Sequence, residues 1–318
     1  MAGSTKAILA ALAGNAAIAI TKFVAAAVTG SASMASEGVH SLVDTVNELL
    51  LLHGNRRAAR RPDKLHPYGY GRELYFWTFV VSIMVFALGA LVSFRHGLAH
   101  VMAPEPVHRP LVNYVVLGSS FLFEWLSWRV GWRALRAGLR PGQGTWQALK
   151  SGKDLGLTAV LIEDTAALAG LAIAAIGLLL SQMLDMPVLD GVASMLIGVL
   201  LAFAAYGLGR RSRDLLVGEA ADPAVLEEML AIAAGDPAVV HVNGALTVYL
   251  APDQLSMAMS LEFRDELTAV DIERAVDRIE DAMRERNPEL RVLFVKPQTP
   301  ETWARRIRDR MGREDAMR

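Results

Sequence analysis

Six apolar stretches, each about as long as a helix needs to cross a ~30 Å hydrocarbon core, run through most of this chain. They fall near residues 7–29, 33–54, 74–99, 111–133, 155–180 and 188–209. Inside lipid a peptide group finds no water, so stretches like these must be helices that satisfy their own backbone. The chain is 53% hydrophobic yet 20% charged. The first value is high for a soluble protein and the second is high for a protein embedded throughout, which implies a membrane domain joined to a soluble one.

Basic residues orient the spans. Arg56, Arg57, Arg60, Arg61, Lys64 and Arg72 follow the second stretch; Arg133, Arg136, Arg140, Lys150 and Lys153 follow the fourth; Arg210, Arg211 and Arg213 follow the sixth. The alternate loops are nearly free of Lys and Arg, so the positive-inside rule puts both termini in the cytoplasm. The N-terminus lacks a short apolar core with a small-residue cleavage pattern, and no cleaved signal peptide is expected. A multi-pass protein of a bacterial inner membrane is the expected setting. A net charge of −1 gives no reason to expect nucleic acid as a partner. With no cysteine, the chain has neither disulfides nor thiolate ligands, and any metal must be held by nitrogen and oxygen donors.

Beyond Arg213 the pattern changes. Pro223 to Ala234 reads as a short helix with Asp222 as its N-cap. Val239 to Leu250 reads as a strand, and Leu255, Met257, Met259, Leu261 and Phe263 alternate with smaller or polar residues at strict strand period. Thr268, with Asp271 at capping-box distance, opens a second helix, and Arg291 to Lys296 is a last strand stopped by Pro297. The order αββαβ predicts an α+β open-faced sandwich, ferredoxin-like, with helices over one side of a three-stranded sheet. The expected fold is thus an all-α six-helix membrane domain over 1–210, a cytoplasmic αββαβ domain over 211–299, and a charged tail over 300–318 that is either helix or disordered.

The second stretch is the most polar. At about 100° per residue, Glu37, His40, Asp44, Asn47 and Glu48 share a sector roughly 100° wide. His40 and Asp44, four apart, lie one above the other on one helix face, and both are metal-ligand groups. Ionisable groups at bilayer depth cost at least ~2.5 kcal/mol each, which marks them as functional. The fifth stretch holds Glu163 and Asp164, adjacent carboxylates that need a cation or protons beside them. A divalent ion between His40, Asp44 and Asp164 would neutralise the set, and protons would replace it when it leaves; such exchange underlies metal/proton antiport. Glu163 either completes the ligand set or carries protons, and Glu37, Asn47, Glu48 and Glu124 are expected around the ligands or on a proton route. Lys22 in the first stretch wants either a carboxylate partner in the second or a path to the interface.

After the second stretch comes His66-Pro67-Tyr68-Gly69-Tyr70-Gly71-Arg72. With Glu37-Gly-Val-His40-Ser-Leu-Val-Asp44, this resembles the cation diffusion facilitator family of divalent-metal/proton antiporters, over nearly the whole chain. The resemblance implies a homodimer in the lipid bilayer, no permanently bound cofactor and no enzymatic activity. It also implies a metal site between the second and fifth spans. Where the family pattern has a His or Asp four residues before the span-five Asp, this chain has Val160, and Glu163-Asp164 resembles the branch with Glu-Asp in that span. One His with two or three carboxylates is a harder donor set than two of each, which raises Mn²⁺, Fe²⁺ or Co²⁺ as cargo; Zn²⁺ remains the first expectation. The cytoplasmic domain has Ser260 and Val295-Lys296-Pro297 where family members carry metal-binding residues, so it is expected to bind little or no metal and to serve dimerisation. His241 reads as structural, and His66 either joins Asp63 in a loop metal site or serves the turn.

Two rivals stand beside this reading. One is a non-transporting bundle whose polar seam only fixes helix packing. The other is an intramembrane metalloenzyme, which would need an activating base and an open metal position, and no His-Glu-x-x-His motif is present.

Overall fold

The computed structural model describes residues 2–137, 144–145 and 155–311. Among them, helices stand at all six apolar stretches: α1 (Ala2–Thr29), α2 (Ala32–Ala58), α3 (Glu73–Met102), α4 (Pro110–Ala137), α5 (Leu155–Met183) and α6 (Val188–Val217). Three of them, α3, α5 and α6, are long and apolar enough to cross a membrane by composition alone. α2 and α4 fall short because they carry the acids and basic ends that make them interesting, and within α1 the apolar segment is Asn15–Thr29. Arg140, Lys150 and Lys153 lie outside the described residues.

α1 turns into α2 through Gly30, whose φ of +71° is a left-handed conformation that glycine adopts at least cost. Ser31 then caps α2, its hydroxyl accepting from Met34 N. α3 is interrupted by a π-helical turn, Val85–Ala90. Past that turn α3 and α6 approach backbone to backbone: a Cβ on Gly97 would fall 2.6 Å from Gly191 O, and one on Gly198 2.8 Å from Ala90 O. Small residues permit that closeness, and in lipid, packing of this kind replaces the hydrophobic effect between helices.

The second architecture follows the expected order closely. α7 (Pro223–Ala234) is capped by Asp222, which accepts from Ala224 N at 3.0 Å. β1 (Val239–Ala251) pairs antiparallel with β2 (Gln254–Phe263), and β2 pairs parallel with β3 (Leu290–Pro297), giving the order β1-β2-β3. α8 (Ala269–Arg286) carries the full Thr268/Asp271 capping box. Met257, Met259, Tyr249, Met229, Ile279 and Met283 are buried together on the helix side. The opposite face leaves Leu246, Ala258 and Phe294 in one register row, with Phe294 56% exposed. The tail forms a helix, α9 (Pro300–Met311), within the described residues.

The chain divides into two compact units at Arg213/Asp214, with one departure from the expected boundary. Asp63–Arg72, assigned above to the membrane domain, belongs to the second unit. The physical reason is close packing on the end of β1: a Cβ on Gly71 would sit 2.7 Å from Leu250 O and 2.6 Å from the Ala251 side chain. Within the loop, Asp63 accepts from the backbone of Leu65 and His66 and from the Tyr70 hydroxyl at 2.6 Å, while the His66 ring lies against Tyr70. These bonds, the Tyr70 one foremost, hold the Asp63 carboxyl below the usual carboxylate range. The His66 Nδ1 also stands 3.5 Å from Asp63 Oδ1, an arrangement that suits a turn and a loop metal site alike.

Candidate metal centre

α1, α2, α4 and α5 enclose a cavity of about 510 Å³. Its acidic lining is Asp44 and Glu48 from α2, Glu124 from α4, and Glu163 and Asp164 from α5. The helical spacing read from the sequence accounts for the α2 face, but it is packing that turns the α5 pair toward it. His40 is buried beside the cavity, its Nδ1 3.4 Å from Asp44 Oδ1. Neither ring nitrogen of His40, nor Asp44 Oδ1, has a hydrogen-bond partner. Buried polar atoms are ordinarily paired, so three unpaired atoms side by side call for a physical explanation.

The α5 carboxylates are already held. Asn47 Nδ2 donates to Glu163 Oε1 at 3.0 Å, and Ser127 Oγ donates to Asp164 Oδ2 at 2.9 Å. Glu48 accepts from Asn15 Nδ2 at 2.7 Å. Val160, the position where a further ligand is expected, also lines the cavity but offers only carbon. Among the described residues, no three His, Asp or Glu side chains converge closely enough to hold a metal as they stand. The arrangement is a set of donors around one space, with the α5 members parked on neutral hydrogen-bond donors that a cation would have to displace.

Several polar residues serve elsewhere. Glu37 does not face the cavity; it takes Lys22 Nζ at 3.0 Å, and both side chains are fully buried, so Lys22 is partnered rather than extended to the interface. Lys22 also donates to Ser41 Oγ at 2.8 Å. Toward the α1–α2 turn, Thr29 Oγ1 bonds Asn113 Oδ1 at 2.9 Å, and Ser36 bonds Ser194 at 2.6 Å. Asp190 of α6 accepts from the Ser31 and Ser33 hydroxyls and from the backbone of Ala32 and Ser33, capping α2 from another helix. Sequence reasoning missed Asp190 and Ser127. A lone acid in the first turn of an apolar helix was the available signal for the first; a single serine offers none.

The second unit has a polar cluster of its own. Asn243 Nδ2 donates to Ser260 Oγ at 3.1 Å and to Gln298 O at 2.8 Å, and Ser260 donates to Gln298 Oε1 at 3.1 Å. The cluster is two neutral amides and a hydroxyl, with Gln298 just past the end of β3, while His241 is exposed.

Long apolar helices around an acid-lined cavity define an integral membrane protein of the transporter class. The chain belongs to the cation efflux family, whose transmembrane domain matches residues 8–217. This is a family of transporters, not of enzymes. The mitochondrial proton-coupled zinc antiporter SLC30A9 of Xenopus laevis is 29% identical over 92% of this chain and 59% of its own length. Metal tolerance protein C4 of Arabidopsis thaliana is 31% identical over 73% of the chain and 51% of its own length. The cation-efflux pump FieF of Cronobacter sakazakii is 24% identical over 82% of the chain and 81% of its own length. The chain spans about half the length of the antiporter and tolerance-protein relatives it matches.

Proposed function

We propose that this protein carries a divalent metal ion out of the cytoplasm in exchange for protons, with Zn²⁺ the first candidate cargo. All six helices α1 to α6 cross the membrane, both termini lie in the cytoplasm, and the setting is a bacterial inner membrane. The observation that carries the reading is the shared cavity, which gathers Asp44, Glu163 and Asp164 from two helices beside the unpartnered His40. His40, Asp44 and Asp164 hold the ion; Glu163 completes the set once Asn47 releases it, or takes a proton. Metal ligands must be deprotonated to bind, so loading the ion expels protons and loading protons expels the ion. Mn²⁺, Fe²⁺ or Co²⁺ is the alternative cargo, favoured by the excess of carboxylate over imidazole around the cavity.

Two copies form the working unit. The open sheet face with Leu246, Ala258 and Phe294 is an apolar row of the kind that pairs with a second copy, and the neutral Asn243–Ser260–Gln298 cluster suits a domain that dimerises without metal.

The test is uptake into proteoliposomes of Zn²⁺, Mn²⁺, Fe²⁺, Co²⁺ and Cd²⁺ under an imposed pH gradient. Gradient-driven uptake of one or two of these, abolished by Asp164→Ala, is the expected result. Uptake indifferent to the gradient would remove the antiport, and unchanged uptake in Asp164→Ala would remove the site.

A further inference from the structure

The cavity has a definite end on α1, α2 and α5. Its lining stops at Thr21, Ser41 and Asp164. Next toward the α1–α2 turn come Lys22 and Glu37, and then Gly170 on α5, whose ideal Cβ would lie 2.6 Å from Glu37 Oε1. On the α4 side the cavity runs to Val116, about a turn short of Asn113, which is bonded to Thr29. The bare backbone of Gly170 thus lets Glu37 press against α5 while it holds the α1 ammonium.

A buried ion pair is often only a strut between helices. A strut is stable when its remaining oxygen and nitrogen sites are also satisfied, because each buried charge is otherwise poorly compensated. This pair is not built that way: Glu37 Oε1 is buried and has no hydrogen-bond partner. It also stands where the lining ends on α1, α2 and α5, and sets an ammonium group beside any cation that moves toward the α1–α2 turn along the α4 wall.

We propose that the Lys22–Glu37 pair, seated against Gly170, is the outer gate of the cation path. The proposal rests on the orientation given above, which places the α1–α2 turn outside. With the pair closed, a metal ion in the cavity meets an ammonium group on the outer side and is free to exchange only with the cytoplasm. Opening requires Glu37 to leave Gly170 and carry Lys22 aside, which frees the route past Ser41. Lys22 is therefore a positioning residue for transport, acting through Glu37 without touching the ion.

The absence of cysteine makes the test direct. Val160→Cys places one thiol in the cavity, and a membrane-impermeant maleimide is applied from either side of oriented vesicles. The parent variant is expected to label from the cytoplasmic side only. Adding Lys22→Met, or separately Gly170→Ala, is expected to raise labelling from the outside at least tenfold. Gly170→Ala keeps both charges and displaces only the far end of the flexible Glu37 side chain, so it carries the test if Lys22→Met does not fold. Outside labelling that stays at the parent level in folded Gly170→Ala would overturn the gate. Labelling of the parent from the outside alone would instead overturn the orientation, and the gate with it.

Discussion

At the α1–α2 end of the membrane unit, Asp190 has both carboxylate oxygens engaged by Ser31, Ala32 and Ser33. Two to three turns further along α2, His40 and Asp44 keep atoms with no hydrogen-bond partner, although they too are largely buried. Both places put an acid on or against α2 in an apolar bundle. What separates them is whether the protein supplies the partners. Where it does, the polar residue is a joint; where it withholds them, the proposed function supplies the partner as a metal ion or protons.

That contrast is broken most sharply by exchanging its two sides. His40→Ala or Asp44→Ala should cut metal transport by at least roughly 100-fold, since even groups that only orient ligands are commonly worth 10–100-fold. A thermal melt of either variant should stay near wild type. Asp190→Ala should do the opposite. Loss of a helix cap costs about 1 kcal/mol and each stranded buried donor about 1–3 kcal/mol, so unfolding in detergent should come several degrees earlier, with transport per folded molecule retained. A transport-dead but stable Asp190→Ala would erase the distinction. Val160→Asp sharpens it from within the cavity. Adding a ligand where the wall is now carbon should tighten Zn²⁺ binding by about tenfold, some 1.4 kcal/mol, in a calorimetric titration. Ser127→Ala, which frees the parked Asp164, should shift metal affinity by up to about tenfold in either direction while leaving the fold intact; an affinity identical to wild type would mean the parking bond is idle.

The smallest effect belongs to the second unit. The Thr268 hydroxyl and backbone hold the Asp271 carboxyl below the usual carboxylate range. A lowered folded-state value means that this support is complete at pH values where a free carboxyl is ionised, above ~4, and is lost as pH falls through the lowered value. Asp271→Asn should therefore lower the melting temperature slightly at neutral pH, and the gap to wild type should close on acidification. A gap that widened in acid would contradict the capping role.

The helices, their order and most of the second unit were readable because periodicity and caps are local. Asp222, Thr268 and Asp271 each announce a helix start within a few residues, and Leu255 to Phe263 alternates as a strand must. Half of the candidate site was readable for the same reason, since His40 and Asp44 share a face by spacing alone. Its other half depends on which way α5 is turned, and single-chain spacing does not contain that. Asp190 escaped because it acts on another helix 157 to 159 residues away in sequence. The fate of Lys22 was open between a partner and the interface until packing put Glu37 within reach.

The placement of Asp63–Arg72 with the second unit bears on how such a protein can be taken apart. The second unit is not an appendix that follows the last helix. One of its pieces is spliced in between α2 and α3, fitted to β1 so closely that Gly71 tolerates no side chain. A chain cut after Arg213 keeps that piece but loses the surface it was shaped for, and residues 214–318 made alone lack it. Neither half is a module in the sense that gene fusion or domain shuffling requires, and any graft onto another membrane bundle has to bring its loop along.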